Sequence, residues 1–528
     1  MATLSPSSSS NPTYVLGIDL GTTSLKVILL SRELEVVGTA QEPLTSSHPR
    51  PGYSEQDPEA WWDALGKAVR ILLCKTRVDP KSILSLGISG QMHGLVLVNE
   101  GKEIHLGPAI LWNDTRSTEE CKRLNEDEEL GIVSRTGNKA LEGFTLPKLL
   151  WVKEHEGDQL DTACRMLLPK DYLVYRLTGV FASEPSDASG TILLNAQTAQ
   201  WDKDLCIHLD LPTSLLPPLL PSSAHTVRTS ILPKVATYLG LSQETLVVAG
   251  GADNACSALA AGIVDPKDLR GLVSLGTSGV VLRPVHPCSN AVLHPTGEVH
   301  LFRHVTGDPY VMGVMLAAAD ALNWFRSVVA PDISFSQLCE EASSSPPGAK
   351  GILFAPWICG ERSPYPDSQV RGSFLGLDIA HSRADLTRAV LEGVAFSLTT
   401  ILGTLNTLDH AQDQPKKGTG GIEQLVITGG GAKSQLWLQI IASMTNTPVI
   451  PYQGEGAATG ASILAGAGLG WWDVSSAAHA LFPQKDPGNR EVKPIDSWSK
   501  TYKVLLPIWK QVYEATKGVS RAWKQVVE

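Results

Sequence analysis

Short apolar runs alternate with longer helical patterns along most of the chain. YVLGIDL from Tyr14, LKVILL from Leu25 and EVVGTA from Glu35 read as strands. The SEQDPEAWWDALGKAVRILL segment then predicts a helix. Asp57 caps it, Pro58 fits its first position and Glu59 meets the positive end of its dipole. Trp61, Leu65, Val69 and Leu72 fall on one face. ILSLGIS, from Ile83, returns to a strand.

A second cycle follows the first. TLVVAGGADNACSALAAGIV predicts strand, glycine turn and Ala-rich helix; LRGLVSLGTSGVVLRPV predicts a hairpin; IEQLVITGGGAKSQLWLQIIASM predicts strand, glycine turn and helix. EASSSPPGAK and AQDQPKKGTGG read as surface loops. SWSKTYKVLLPIWKQVYEATKG is a last helix with Tyr502, Leu505, Trp509 and Val512 on one stripe and a kink expected at Pro507. The alternation predicts an α/β protein. The similar hairpins, IDLGTTS and VSLGTSG, predict a duplicated α/β domain with a cleft between the copies. The division falls after Asp253, giving residues 14–260 and 261–528 behind a disordered Ser-rich tip, 1–13.

Length and composition fit this picture. A chain of 528 residues exceeds one compact core. The 43% hydrophobic and 19% charged fractions are those of an ordinary globular protein. A net charge of −10 argues against a nucleic-acid partner, while a local pocket can still take a polyanionic small ligand. The 8 cysteines lie scattered, without C-x-x-C or zinc spacing, as free thiols in a reducing cytoplasm do. No membrane span is expected: the most apolar candidate, AATGASILAGAGLGWW, is Gly/Ala-rich and reads as a tightly packed helix. The tip lacks the regions of a secretory signal, so the expected location is cytoplasmic.

Candidate chemistry sits in the turns. Gly21, Thr22 and Thr23 follow Asp19, and their N–H groups and hydroxyls can cradle phosphate; a lone turn of this kind would be an ordinary hairpin. Its repetition at Gly276 and Thr277 points to phosphate held between opposing walls. No Walker A pattern is present. Asp19, at the end of a buried strand, needs a cation or strong donors, and Mg²⁺ held through water suits it. Asp253 opens a helix and reads as an N-cap or as a general base, with spacing alone not choosing. The ITGGGAKS glycines fit close approach to a purine or ribose, or a packing turn. Gln91, Met92 and His93 of QMHG, with Trp112, Asn113, Asp114 and Arg116 of LWNDTR, supply groups suited to sugar hydroxyls and a sugar face.

These stretches, together with GFTLPKLLWV, LLPKDYL, SDASGT, GERSPYPD and RAVLEGVAFSL, occur in order from Tyr14 to the final helix. In this the chain resembles the FGGY carbohydrate kinase family, most closely its xylulokinase branch. The resemblance implies two actin-like, ribonuclease H-like ATPase domains flanking a catalytic cleft. It implies ATP-dependent phosphorylation of D-xylulose to D-xylulose 5-phosphate, with Mg²⁺. By it Asp253 matches the catalytic base and Asn254 a sugar contact; Met92 and His93 match the sugar-binding pair, beside Gln91. Gly430, Gly431 and Ser434 would meet the adenosine, and Asp19 would position Mg²⁺. Ala252 stands where the family pattern often has glycine, which matters only if φ there is positive. A homodimer is a family-level expectation. The rival readings are an FGGY kinase for ribulose or another ketose or polyol, and a non-catalytic actin-like ATP-binding protein.

Overall fold

The computed structural model describes residues 12–99, 105–285, 298–408, 421–482 and 491–527. Cys288, nearly all of the AQDQPKKGTGG loop and the tip up to residue 11 lie outside the described residues.

The first half builds a sheet from β1 (Tyr14–Leu20), β2 (Ser24–Ser31), β3 (Val36–Pro43), β4 (Ile83–Gly90), β5 (Thr226–Arg228) and β6 (Leu246–Val248). Their order is β3-β2-β1-β4-β6-β5, and the short strand Gly251–Ala252 joins the end of β4. β1, β2 and β3 pair antiparallel, whereas β1, β4 and β6 run parallel. The second half repeats this plan with β7 (Arg270–Leu275), β8 (Gly279–Pro284), β9 (His300–Arg303), β10 (Pro309–Met315), β11 (Gln424–Thr428) and β12 (Val449–Pro451). Here the order is β9-β10-β8-β7-β11-β12, with β7, β11 and β12 parallel and the remaining pairs antiparallel. The central strands are mostly apolar, with few polar positions, because both faces are covered.

Helices cover the sheets. In the first half, α1 (Pro58–Thr76) has Asp57 as its N-cap, accepting from the Glu59 N–H, and buries Trp61, Leu65, Val69 and Leu72 as the pattern predicts. α2 (Thr145–His155), α3 (Pro169–Thr178) and α4 (Asp253–Ala260) complete the part that concerns the site. In the second half, α5 (Ala319–Val329), α6 (Phe335–Ala342), α7 (Arg383–Thr407) and α8 (Gln435–Thr445) surround β7–β12. α7 is long and apolar enough to cross a membrane, a feature that sequence reading passed over; 78% of its most apolar stretch is buried, so it is a core helix. α10 (Asp496–Val527) runs as one helix through Pro507 and buries Tyr502, Trp509 and Val512 in the core of the second half, with Tyr502 and Trp509 against Phe396 of α7 and Leu505 half-buried.

α9 (Ala457–Gly468), the AATGASILAGAG segment, follows the second sheet in the chain but packs on β1, β4 and α4. Small residues on both sides make this possible. A Cβ on Gly17 would lie 2.0 Å from the Ala458 carbonyl oxygen, one on Gly87 2.4 Å from that of Ala461, and one on Gly460 2.1 Å from that of Cys256. Spatially, the two halves are therefore not separated at one chain position.

Candidate active site

The parallel strands of the first half deliver their C-terminal ends to one edge of the sheet. In register, Asp19 stands opposite Ser89, and Ser89 opposite Gly251. Two strand spacings, about 10 Å in all, thus separate Asp19 from the residues just before Asp253. Their charges interact: burial, then Asp19, pushes the Asp253 carboxyl up to about 7. Burial likewise raises Asp19 to about 6, against the opposing influence of Lys26 and the nearby Ser89 hydroxyl. Asp19 Oδ1 is buried without a hydrogen-bond partner.

Asp253 is the first residue of α4, and Ala252 is the N-cap. The capping reading therefore does not describe its side chain. Oδ1 accepts from the Asn254 main-chain N–H at 2.6 Å and from Asn254 Nδ2 at 3.0 Å; Oδ2 is bonded to no described residue. Ala252 has φ −57°, so glycine is not needed there. It is Gly250, at φ +75°, that requires the left-handed region.

Asn254 leads to the QMHG loop, since its Nδ2 lies 3.7 Å from the Met92 sulfur. His93 is held at φ +70°. Its Nδ1 is 2.7 Å from the Gly190 carbonyl oxygen, so Nδ1 carries the proton. Burial lowers its pKa to about 3, which leaves a neutral ring with Nε2 as acceptor. A side chain at Gly190 would strike this ring, its Cβ 2.6 Å from Nδ1. The ring also meets Phe144 edge-on, centroids 5.0 Å apart. Lys148 Nζ donates to the His93 carbonyl at 2.9 Å, and burial brings that ammonium down to about 7.

Gln91 makes its side-chain hydrogen bonds to the first turn and to Gln56. Its Nε2 donates to Gln56 Oε1 at 3.0 Å and its Oε1 accepts from Thr22 Oγ1 at 3.0 Å. Trp112 Nε1 donates to the same Thr22 hydroxyl at 2.9 Å, and Gln56 Nε2 to the Thr22 carbonyl at 2.6 Å. The amide expected at the sugar is thus engaged in bracing the first turn. Asp114 and Arg116 also serve structure. Asp114 accepts from the Ser54 N–H at 2.6 Å, and Arg116 pairs with Asp114 and with Glu55 while lying 3.8 Å over the Tyr53 ring.

A cluster that motif reading missed lies behind Asp253. Lys170 Nζ is 2.5 Å from Asp171, 3.5 Å from Glu184 and 3.8 Å from Asp187, all buried. Burial alone would lower the lysine pKa, but the three carboxylates outweigh it and hold it above the ordinary value. Ser186 ties the cluster to the site, donating to Glu184 at 2.8 Å and accepting from the Ala252 N–H at 3.1 Å. Lys170 and Glu184 carried no spacing signal, because the tertiary fold alone unites them.

The second half presents a cavity of about 1020 Å³. Gly276, Thr277, Gly430, Gly431 and Ser434 line it, opposite an apolar wall that includes Leu322, Phe335 and Trp498. The three-glycine turn divides its work. A Cβ on Gly429 would lie 2.6 Å from the Leu275 carbonyl oxygen and one on Gly431 2.7 Å from Leu275 Cβ, so these two are packing positions. Gly430 has open space beside it. Ser434 caps α8, accepting from the Trp437 N–H at 3.3 Å. In the two phosphate-turn candidates, Gly21 N–H donates to the Ser24 carbonyl at 3.0 Å, while Thr23 and Thr277 are exposed.

Comparisons with known proteins give the family. Residues 14–260 match the N-terminal domain of the FGGY family of carbohydrate kinases and residues 271–469 its C-terminal domain. The xylulose kinase of Bacillus subtilis is 40% identical over 97% of this chain and 99% of its own. Among solved structures, a "xyloylose kinase" from Brucella ovis is 34% identical with a TM-score of 0.85, covering 95% of this chain and 99% of its own. The ligand-bound xylulose kinase of Lactobacillus acidophilus is 25% identical, also with a TM-score of 0.85, covering 95% and 98%. The chain belongs to the FGGY family of carbohydrate kinases and has its two-domain, actin-like fold. It is an ATP-dependent sugar kinase.

Proposed function

We propose, from that membership, that this kinase transfers the γ-phosphoryl group of ATP to the terminal hydroxyl of D-xylulose, giving D-xylulose 5-phosphate and ADP. The observation that carries the reading is the Asp253 corner: a carboxylate with one open oxygen, joined through Asn254 to Met92 and so to the neutral His93. The relatives named for xylulose share nearly the whole chain.

Asp253 orients the C5 hydroxyl and accepts its proton as the bond to phosphorus forms. Phosphoryl transfer has a loose transition state, so the proton leaves late and alignment matters more than basicity. His93 Nε2 accepts from a sugar hydroxyl, and Met92 packs against the carbon chain. Thr277, Gly430, Gly431 and Ser434 line the adenosine and phosphate side, with Phe335 and Trp498 as apolar walls for the base. Gly21, Thr22 and Thr23 offer main-chain groups and the exposed Thr23 hydroxyl to the phosphates from the opposite wall; the Thr22 hydroxyl is already engaged.

The partnerless Asp19 Oδ1 fits a hydrated Mg²⁺, which needs few protein carboxylates and keeps much of its water. When bound, the ion supplies charge neutralisation to the phosphates. Closure of the cleft excludes water as a competing acceptor.

An ADP-release assay with D-xylulose, D-ribulose, xylitol, glycerol and no sugar tests the proposal. D-xylulose should give the highest kcat/KM, with a 5-phosphate product by ³¹P NMR. A higher value for another acceptor, or release independent of sugar, overturns it.

A further inference from the structure

The GERSPYPD loop, Gly360–Asp367, has no role in the chemistry above. Its main chain belongs to the second half. Glu361 Oε1 accepts the N–H of Leu316 at 2.9 Å and of Arg362 at 2.8 Å. Ser363 exchanges bonds with Val314, its N–H donating at 2.9 Å and its Oγ accepting at 3.1 Å. These bonds fix the loop to the end of β10.

The Arg362 side chain, however, reaches the wall of the first half. Its Nη2 lies 3.4 Å from the place a Cβ on Gly143 would take, and that place is 2.7 Å from the Trp112 carbonyl oxygen. Gly143 precedes Phe144, the ring that meets His93 edge-on. The guanidinium is near enough for its charge to oppose protonation of His93 and His300. It forms no hydrogen bond or ion pair with any described residue. Lys148, the other cation of this wall, is occupied with the His93 carbonyl, and Glu361 with the two N–H groups.

A half-buried arginine fork with no acceptor among the described residues keeps its five N–H donors available to a ligand. Contacts lead from Asp253 through Asn254 to Met92 beside His93, and the Arg362 charge is felt by His93 but not by Asp253. With the proposed base at one end of the sugar, Arg362 on the His93 side would meet the other. An α-hydroxyketone offers two oxygens on adjacent carbons there, matching the two-pronged geometry of a guanidinium.

We propose that Arg362 is a specificity-determining residue whose guanidinium donates to the C1 hydroxyl and C2 carbonyl oxygens of the open-chain pentulose. The inference rests on the pentulose reading above.

The experiment compares D-xylulose with 1-deoxy-D-xylulose in the full-length enzyme and in Arg362→Ala and Arg362→Met, the second keeping the apolar stem and its packing. The unaltered enzyme should prefer D-xylulose by about tenfold in kcat/KM, the effect of one bond to a charged donor. Either variant should lose about 10- to 100-fold on D-xylulose and bring the preference close to unity, with KM for ATP within about twofold. Variants that keep the preference, or lose ATP affinity in parallel, overturn the inference alone. If the unaltered enzyme does not turn over D-xylulose at all, the substrate reading falls and this inference with it.

Discussion

Two turns of nearly the same sequence close the leading hairpin of each half, and they are used differently. In the first, Asp19 precedes Leu20-Gly21-Thr22; in the second, Ser274 precedes Leu275-Gly276-Thr277. The first is braced from three sides, by Gln91, Gln56 and Trp112 acting on Thr22. The second lies open on a large cavity, with an exposed Thr277. Two turns of nearly the same sequence thus stand in different surroundings, one a rigid mount beside carboxylates and the other the rim of a large cavity. Rigidity belongs where charge must be held in place; openness belongs where a ligand has to enter.

The sharpest break of this comparison is Asp253→Asn, which removes the base and leaves the second half untouched. The rate of sugar phosphorylation should fall about 10³-fold or more while ATP binding by calorimetry is unchanged; a near-normal rate removes Asp253 from the mechanism. Next is Asp19→Ser, which copies Ser274 into the first turn. It should cost about 10²-fold in kcat at saturating sugar, with the Mg²⁺ requirement altered and sugar KM little changed. An unaltered Mg²⁺ titration counts against the role of Asp19.

Gln91→Leu tests the brace. It takes the Gln91 donor from Gln56 Oε1 and the acceptor from the Thr22 hydroxyl, and should cost about 1–3 kcal/mol in chemical denaturation, with a smaller effect on sugar KM than on stability. A variant as stable as the parent that instead loses sugar affinity would return Gln91 to the substrate site.

The acid corner also sets a pH signature. The Asp253 carboxyl is raised from 3.8 to about 7, so the folded protein keeps a proton that the unfolded chain releases. Stability therefore falls as pH rises from about 4 to 7, and kcat/KM for sugar rises through about 7 as the base ionises. Asp253→Asn should stabilise the protein more at pH 8 than at pH 5, by on the order of 1 kcal/mol for this partly exposed group. Thermal unfolding at both values reads the difference, and equal shifts contradict it. The smallest effect is expected for Thr277→Val: a few-fold rise in KM for ATP from the loss of one neutral hydrogen bond, with melting temperature unchanged.

Much of the site was legible because some residue types have few uses. An acid at the end of a buried strand, as at Asp19, or glycines ahead of a helix, as at Gly250 and Gly251, signal chemistry or close approach before any fold is known. The cap of α1 at Asp57 was legible for the same reason: its partners are two residues away. Gln91 was misleading, since an amide has the same appearance in sequence whether it faces a sugar or another amide. The turn at Gly429–Gly431 presents three identical letters, of which only Gly430 faces open space. Lys170 lies in the LLPKDYL stretch without any role legible for it, and Glu184 lies in no motif.

The sequence by itself determined the elements, the duplication and the family, because these follow from local patterns: strand-length apolar runs, capped amphipathic helices and turns of fixed composition. The tertiary structure decided which side chains are free to act. It sent the Ala-rich α9 back across to the first sheet, where small residues let backbones meet. It spent the polar groups of Gln91, Asp114 and Arg116 on the scaffold, and it left one Asp253 oxygen and the Arg362 guanidinium without hydrogen-bond partners among the described residues. Whether a polar group is engaged depends on partners far away in the chain, and short-range pattern carries no record of them.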